Sequence, residues 1–100
     1  MDWELVWAAS ALADVEAAVR QSAQYSVAAA ESLRAALFAS VDVLTRFPEI
    51  GAVHEADESG RTREIVCRQY RVFYRLREAD RLVTVVLVRH SARREPRLPE

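Results

Sequence analysis

The spacing of apolar residues changes once along this chain, and that change decides its fold class. Over residues 9–47 they recur every three or four positions, and from Arg63 to His90 they alternate with polar ones. The first period belongs to a helix with one buried stripe, the second to a half-buried strand. In residues 9–24 the stripe is Leu12, Val15 and Val19, continued by Ser22. Asp14 and Glu16 lie near its start, where carboxylates suit the helix dipole. Ser26 is an N-cap for a second helix that runs to about Phe47, where Pro48 stops it. Its inner stripe is Ala29, Leu33, Ala36, Leu37, Ser40, Val41, Leu44 and Phe47. Alanine-rich faces let two such helices approach closely as a hairpin.

Around the helices lie strand signals. Trp3 to Trp7 alternates and predicts a short first strand. Residues 48–62 carry two glycines, a proline and several acids without either period, and read as a loop. Three strands follow at Arg63–Arg68, Tyr70–Arg77 and Leu82–His90, the last two joined by the short turn Glu78-Ala79-Asp80. A chain of 100 residues is the size of one domain, 1–100. The expected architecture is α+β in the order β-α-α-β-β-β, with the helical hairpin packed on one face of an antiparallel sheet.

Several function classes are excluded at this stage. Cys67 is the lone cysteine, so no intrachain disulfide forms, and it reads as a small buried hydrophobe. Gly51 and Gly60 are the only glycines, too few for a phosphate-binding loop. His54 and His90 are far apart and lack metal-ligand spacing. No cofactor or metal is expected. His54, in the loop, reads as a solvated surface residue. The acidic start MDWELVW is not a signal peptide, and the longest strongly apolar run, Leu82 to Val88, is far short of a membrane span. The cytoplasm is the expected compartment, with no membrane partner.

The net charge of −1 hides a division. Residues 1–60 hold three arginines against ten acids, a net of −7, and residues 61–100 hold eleven against five, a net of +6. There is no lysine. On the middle strand Tyr70, Val72, Tyr74 and Leu76 share one face and Arg71, Phe73, Arg75 and Arg77 the other. Arg89 lies on the neighbouring strand, and Arg93, Arg94 and Arg97 follow it. Guanidinium groups take phosphate or carboxylate through paired hydrogen bonds, and Phe73 among them could stack on a base. The alternative is a solvated face whose arginines pair with Glu78, Asp80 or the acidic loop, and charge alone leaves both open. His90 is either an acid–base group for bound RNA or a satisfied strand-end histidine. No triad, carboxylate pair or activated cysteine is legible.

These residues resemble a family, the RelE/ParE superfamily of bacterial type II toxins, and most closely its ParE-like branch. Tyr70-Arg71-Val72-Phe73-Tyr74-Arg75 fits the family's Y-R-V-x-Y-R strand. Arg63-Glu64 fits the R-E ahead of it, and Val88, His90, Ala92, Arg93 and Pro96 fit the V-x-H-x-A-R-x-x-P ending. Phe47-Pro48-Glu49-Ile50-Gly51 fits F-P-E-x-G, and Trp7, Ala11, Leu12, Ala13, Asp14 and Glu16 fit the first-helix pattern. Ala8 and Ala9 replace its usual Ser-Pro, and Val27 a common proline.

The resemblance implies a cytoplasmic toxin, without an active site of its own, that binds a protein target, DNA gyrase in the ParE branch. It also implies a cognate antitoxin whose acidic segment wraps the toxin. The binding positions so implied are Arg71, Phe73, Arg75, Arg77, Arg89, Arg93 and Arg94. The RelE branch instead cleaves mRNA on the ribosome, and there Arg71, His90 and Arg93 would be the catalytic candidates. Those nucleases rely on lysines and a late tyrosine, whereas this chain has no lysine and its last tyrosine is Tyr74. A third alternative is a non-toxic member that only binds antitoxin.

Overall fold

The computed structural model describes residues 2–54, 57 and 61–92. The elements are β1 (Glu4–Trp7), α1 (Ala9–Ala23), α2 (Val27–Asp42), β2 (Ala52–Val53), β3 (Thr62–Cys67), β4 (Tyr70–Arg77) and β5 (Leu82–His90). Short 3-10 turns occupy Val43–Thr45 and Glu78–Asp80. The strands form one sheet in the order β1-β5-β4-β3-β2, with the helical hairpin on one face. The expected layers and element order are present, with two differences. The sheet is mixed, because β1 runs parallel to β5. The segment expected to be loop contributes a fifth strand, as Ala52 and Val53 pair with Glu64 and Arg63.

The core lies between the hairpin and the central strands. Val15, Leu37, Val41 and Leu44 meet Val72, Tyr74, Val83 and Val85, all at 0–1% exposure. Ser26 caps α2 by accepting the Ala29 N–H at 3.1 Å. The α-helix ends at Asp42 and not near Phe47. The Thr45 hydroxyl donates to the Asp42 carbonyl at 2.9 Å, and the chain tightens there into 3-10 geometry. Phe47 is therefore 59% exposed, and Ala30 takes the buried place expected of Ala29.

In α1 the buried face is Ala11, Val15, Ala18 and Val19, while Leu12 is 41% exposed. The reason is the sheet edge. β1 covers β5 only from Leu82 to Val85. Beyond it α1 supplies the partners: Ser10 donates to the Val86 carbonyl at 2.8 Å, and Asp14 accepts the Val88 N–H at 2.9 Å. These bonds set the rotation of α1 and carry Leu12 past the edge of the stripe. Ala8 heads this helix with no side-chain cap, so the substituted Ser-Pro start is held by Ser10 and Asp14 instead.

Between Phe73 and Tyr74 the β4–β5 register slips. Leu87 faces Phe73 and Val85 faces Tyr74, leaving Val86 as the extra residue of a bulge. Phe73, Val86 and Leu87 consequently form a second small core on the face away from the helices. Among the described residues, no helix is long and apolar enough to cross a membrane.

Replacing Asp14 by Ala removes the acceptor of a strand N–H and of Arg89 together. It should lower stability by about 2 kcal/mol in urea denaturation, without loss of secondary structure by circular dichroism.

Candidate functional site

The arginine face exists, but its guanidinium groups are held by the protein itself. Arg71 donates to both oxygens of Glu64, at 2.8 Å from Nε and 3.2 Å from Nη2. Its guanidinium carbon also lies 4.9 Å from the Phe73 ring centre. Arg75 Nε donates to the Thr62 hydroxyl at 3.1 Å. That hydroxyl and the Thr62 N–H both donate to the Asp57 carboxylate. Arg77 pairs with Asp80 at 3.4 Å. This last pair is exposed and contributes little. Arg61, Arg75 and Arg77 line a cleft of about 300 Å³ with Leu76, Thr84 and Val86.

Arg89 lies opposite Arg71 in the register but leaves this face. Its Nη1 reaches Asp14 on α1 at 2.7 Å. Phe73 has 0% exposure and cannot stack on a base. It packs against Val86 and Leu87, which the bulge places beside it. Arg93, Arg94 and Arg97 lie outside the described residues.

His54 is buried, at 3% exposure, contrary to the solvated position expected of it. The β2–β3 pairing draws the loop against the sheet, and the His54 N–H donates to the Thr62 carbonyl at 2.8 Å. Its ring meets Phe73 edge-on at 5.1 Å, and Nδ1 is 3.7 Å from Glu64. The Arg71 hydrogen bonds hold the Glu64 carboxyl below its ordinary range, against the opposing effect of partial burial.

His90 is on the helix side, paired with Tyr70. The two rings meet edge-on at 5.3 Å. The Ala92 N–H donates to Nδ1 at 3.1 Å, so the neutral ring carries its proton on Nε2, 3.3 Å from the Gln69 carbonyl oxygen. His90 is thus a satisfied strand-end histidine. Arg71 and His90 emerge on opposite faces of the sheet, so the two cannot converge on one phosphodiester. Among the described residues no three His, Cys, Asp or Glu side chains gather as metal ligands.

Tyr74 and Gly51 brace the loop that frames this side. The Tyr74 hydroxyl accepts the Gly51 N–H at 2.8 Å and donates to the Pro48 carbonyl at 2.7 Å. Burial pushes its phenol above the usual range. A Cβ on Gly51 would stand 2.5 Å from that hydroxyl and 2.7 Å from the Glu64 carbonyl oxygen, so the close approach requires glycine. Cys67 is buried and packs against α2. Two participants were not visible as site residues: Glu64, whose alternation with Thr62 places it on the arginine face, and Asp14, read only as a helix-start acid.

The comparisons with known proteins agree with this architecture. A family model described as the ParE toxin of the type II toxin–antitoxin system parDE matches residues 5–95. A solved chain of the chromosomal ParDE system from P. aeruginosa superposes with a TM-score of 0.74 at 15% identity, covering 88% of this chain and 95% of that one. A chain of the RelBE2 toxin–antitoxin complex from Mycobacterium tuberculosis superposes at 0.65 with 19% identity, covering 90% and 99%. No curated protein sequence matches significantly.

Because the folded Glu64 is more acidic than in the unfolded chain, its pairing stabilises the fold above the unfolded pKa. That contribution is lost as pH falls through the lowered one. Glu64→Gln should be about 1–2 kcal/mol less stable than the parent at pH 7, and the difference should close below about pH 4, in urea denaturation across a pH series.

Proposed function

The chain belongs to the ParE toxin family of type II toxin–antitoxin systems, and from that premise we propose that it arrests growth by binding DNA gyrase and is neutralised by an acidic antitoxin. The observation that carries the choice of binding over cutting is the division of the sheet. Arg71 is committed to Glu64 on one face, while His90 sits satisfied beside Tyr70 on the other. A strand-cleaving site needs a phosphate clamp and a proton acceptor within reach of the same bond. Phe73, buried at 0% exposure, offers no stacking platform. A toxin that acts by occupying a protein surface needs none of these groups free for chemistry.

The antitoxin part of the proposal rests on the family and on the basic cleft of Arg61, Arg75 and Arg77. A flexible acidic segment laid along that side would exchange with the internal partners of the arginines and gain paired hydrogen bonds. The matched solved structures are toxin–antitoxin assemblies of their own chains, which fits such a partner here. Action inside the cytoplasm belongs to the same proposal.

Two measurements test it. The purified chain should inhibit supercoiling by purified gyrase and trap its DNA cleavage complex, and absence of both effects would remove the gyrase target. Arg71→Glu combined with Arg75→Glu should weaken the complex with the antitoxin encoded beside the toxin gene by at least about tenfold in calorimetry, and unchanged affinity would remove the arginine face as the contact.

A further inference from the structure

On the helix side, a trough runs between the α1–α2 turn and the β3–β4 turn. It consists of two adjoining cavities of about 330 and 420 Å³ that share Gln21, Tyr70 and His90. Each is of a size that holds a small ligand. The toxin reading makes no use of it.

Its chemistry is donor-rich. Asp14 is the one carboxylate in its lining, and both oxygens of that group are occupied, one by the Val88 N–H and the other by Arg89. The His90 tautomer fixes Gln69: its amide oxygen receives Nε2–H, which leaves the amide NH₂ to offer. The Tyr70 hydroxyl, in the half-buried wall, makes no hydrogen bond among the described residues. Arg68 uses one guanidinium nitrogen on Ser32 at 2.9 Å and keeps its other donors. A ring of donors without a free carboxylate selects an oxyanion. Beside it, Ala29 and Leu33 form an apolar wall, and Tyr25 stands at the rim with 87% of its surface exposed. That is a place for a flat ring.

The backbone adds an independent sign. Arg68 has φ 56°, in the left-handed region that favours glycine. A two-residue hairpin turn ordinarily places glycine where φ is positive, so an arginine there trades stability for its side chain.

We propose that this trough binds a nucleotide, with the phosphate on Arg68, Gln69 and the Tyr70 hydroxyl and the base against Tyr25 and the Ala29–Leu33 wall. A free nucleoside monophosphate and the phosphorylated end of a single-stranded RNA present the same chemistry.

Calorimetry on the full chain tests this with the four ribonucleoside monophosphates, a 5′-phosphorylated RNA tetranucleotide, inorganic phosphate and an acidic hexapeptide. At least one nucleotide or the RNA should bind saturably and about tenfold tighter than inorganic phosphate, since the base adds stacking. Whichever of the two is tighter identifies the source. Arg68→Gly should weaken binding about tenfold, and Tyr70→Phe severalfold. The glycine variant relieves the left-handed strain, so its thermal midpoint should not fall, which separates lost binding from lost folding. No saturable binding of any nucleotide or RNA would overturn the proposal. So would affinities untouched by both variants, or binding of the hexapeptide while the nucleotides are inert.

Discussion

The last strand is longer than the partner available to it, and much of the structure follows from how that shortfall is met. β5 has nine residues, while β1 covers four. The exposed polar groups of the remainder cannot be left without partners beside a helix. Ser10 and Asp14 supply them, and in doing so they set how α1 rotates against the sheet. That rotation brings the small residues Ala11 and Ala18 to the core. It also takes up the Asp14 carboxylate with Arg89, which drains one arginine from the charged face and one acid from the trough.

The same economy governs the other face. Eleven arginines in the second half look from their number like an open anion-binding surface. The fold spends several of them internally. Glu64 chelates Arg71, Thr62 links Arg75 to Asp57, and Asp80 takes Arg77. A partner competing for this face must replace hydrogen bonds already made, so its affinity reflects a difference between two sets of ion pairs. Such a face discriminates by geometry, because only a carboxylate placed as Glu64 is placed can match what it displaces.

Much of this was legible in the residues. The helical stripe, the Ser26 cap and the strict alternation of Tyr70–Arg77 are local signals, and local signals carry element type well. Leu82–His90 was legible as a strand but not in its registry, since the run Val83–Val88 has too little polarity to reveal that Val86 is inserted. His54 was misplaced because burial of a loop residue depends on β2 meeting β3, a long-range pairing of only two residues. Leu12 was misplaced because the rotation of α1 is set by bonds to β5, more than seventy residues away in sequence. The β1–β5 parallel pairing likewise has no local signature.

The central claim is that this fold keeps its candidate phosphate-binding and proton-transfer groups on opposite sides of one sheet, and therefore acts by binding. Primer extension across an mRNA being translated in the presence of the purified chain tests that directly. The account predicts full-length transcript at every concentration that arrests growth. Cleavage within codons that disappears with Arg71→Ala would contradict it.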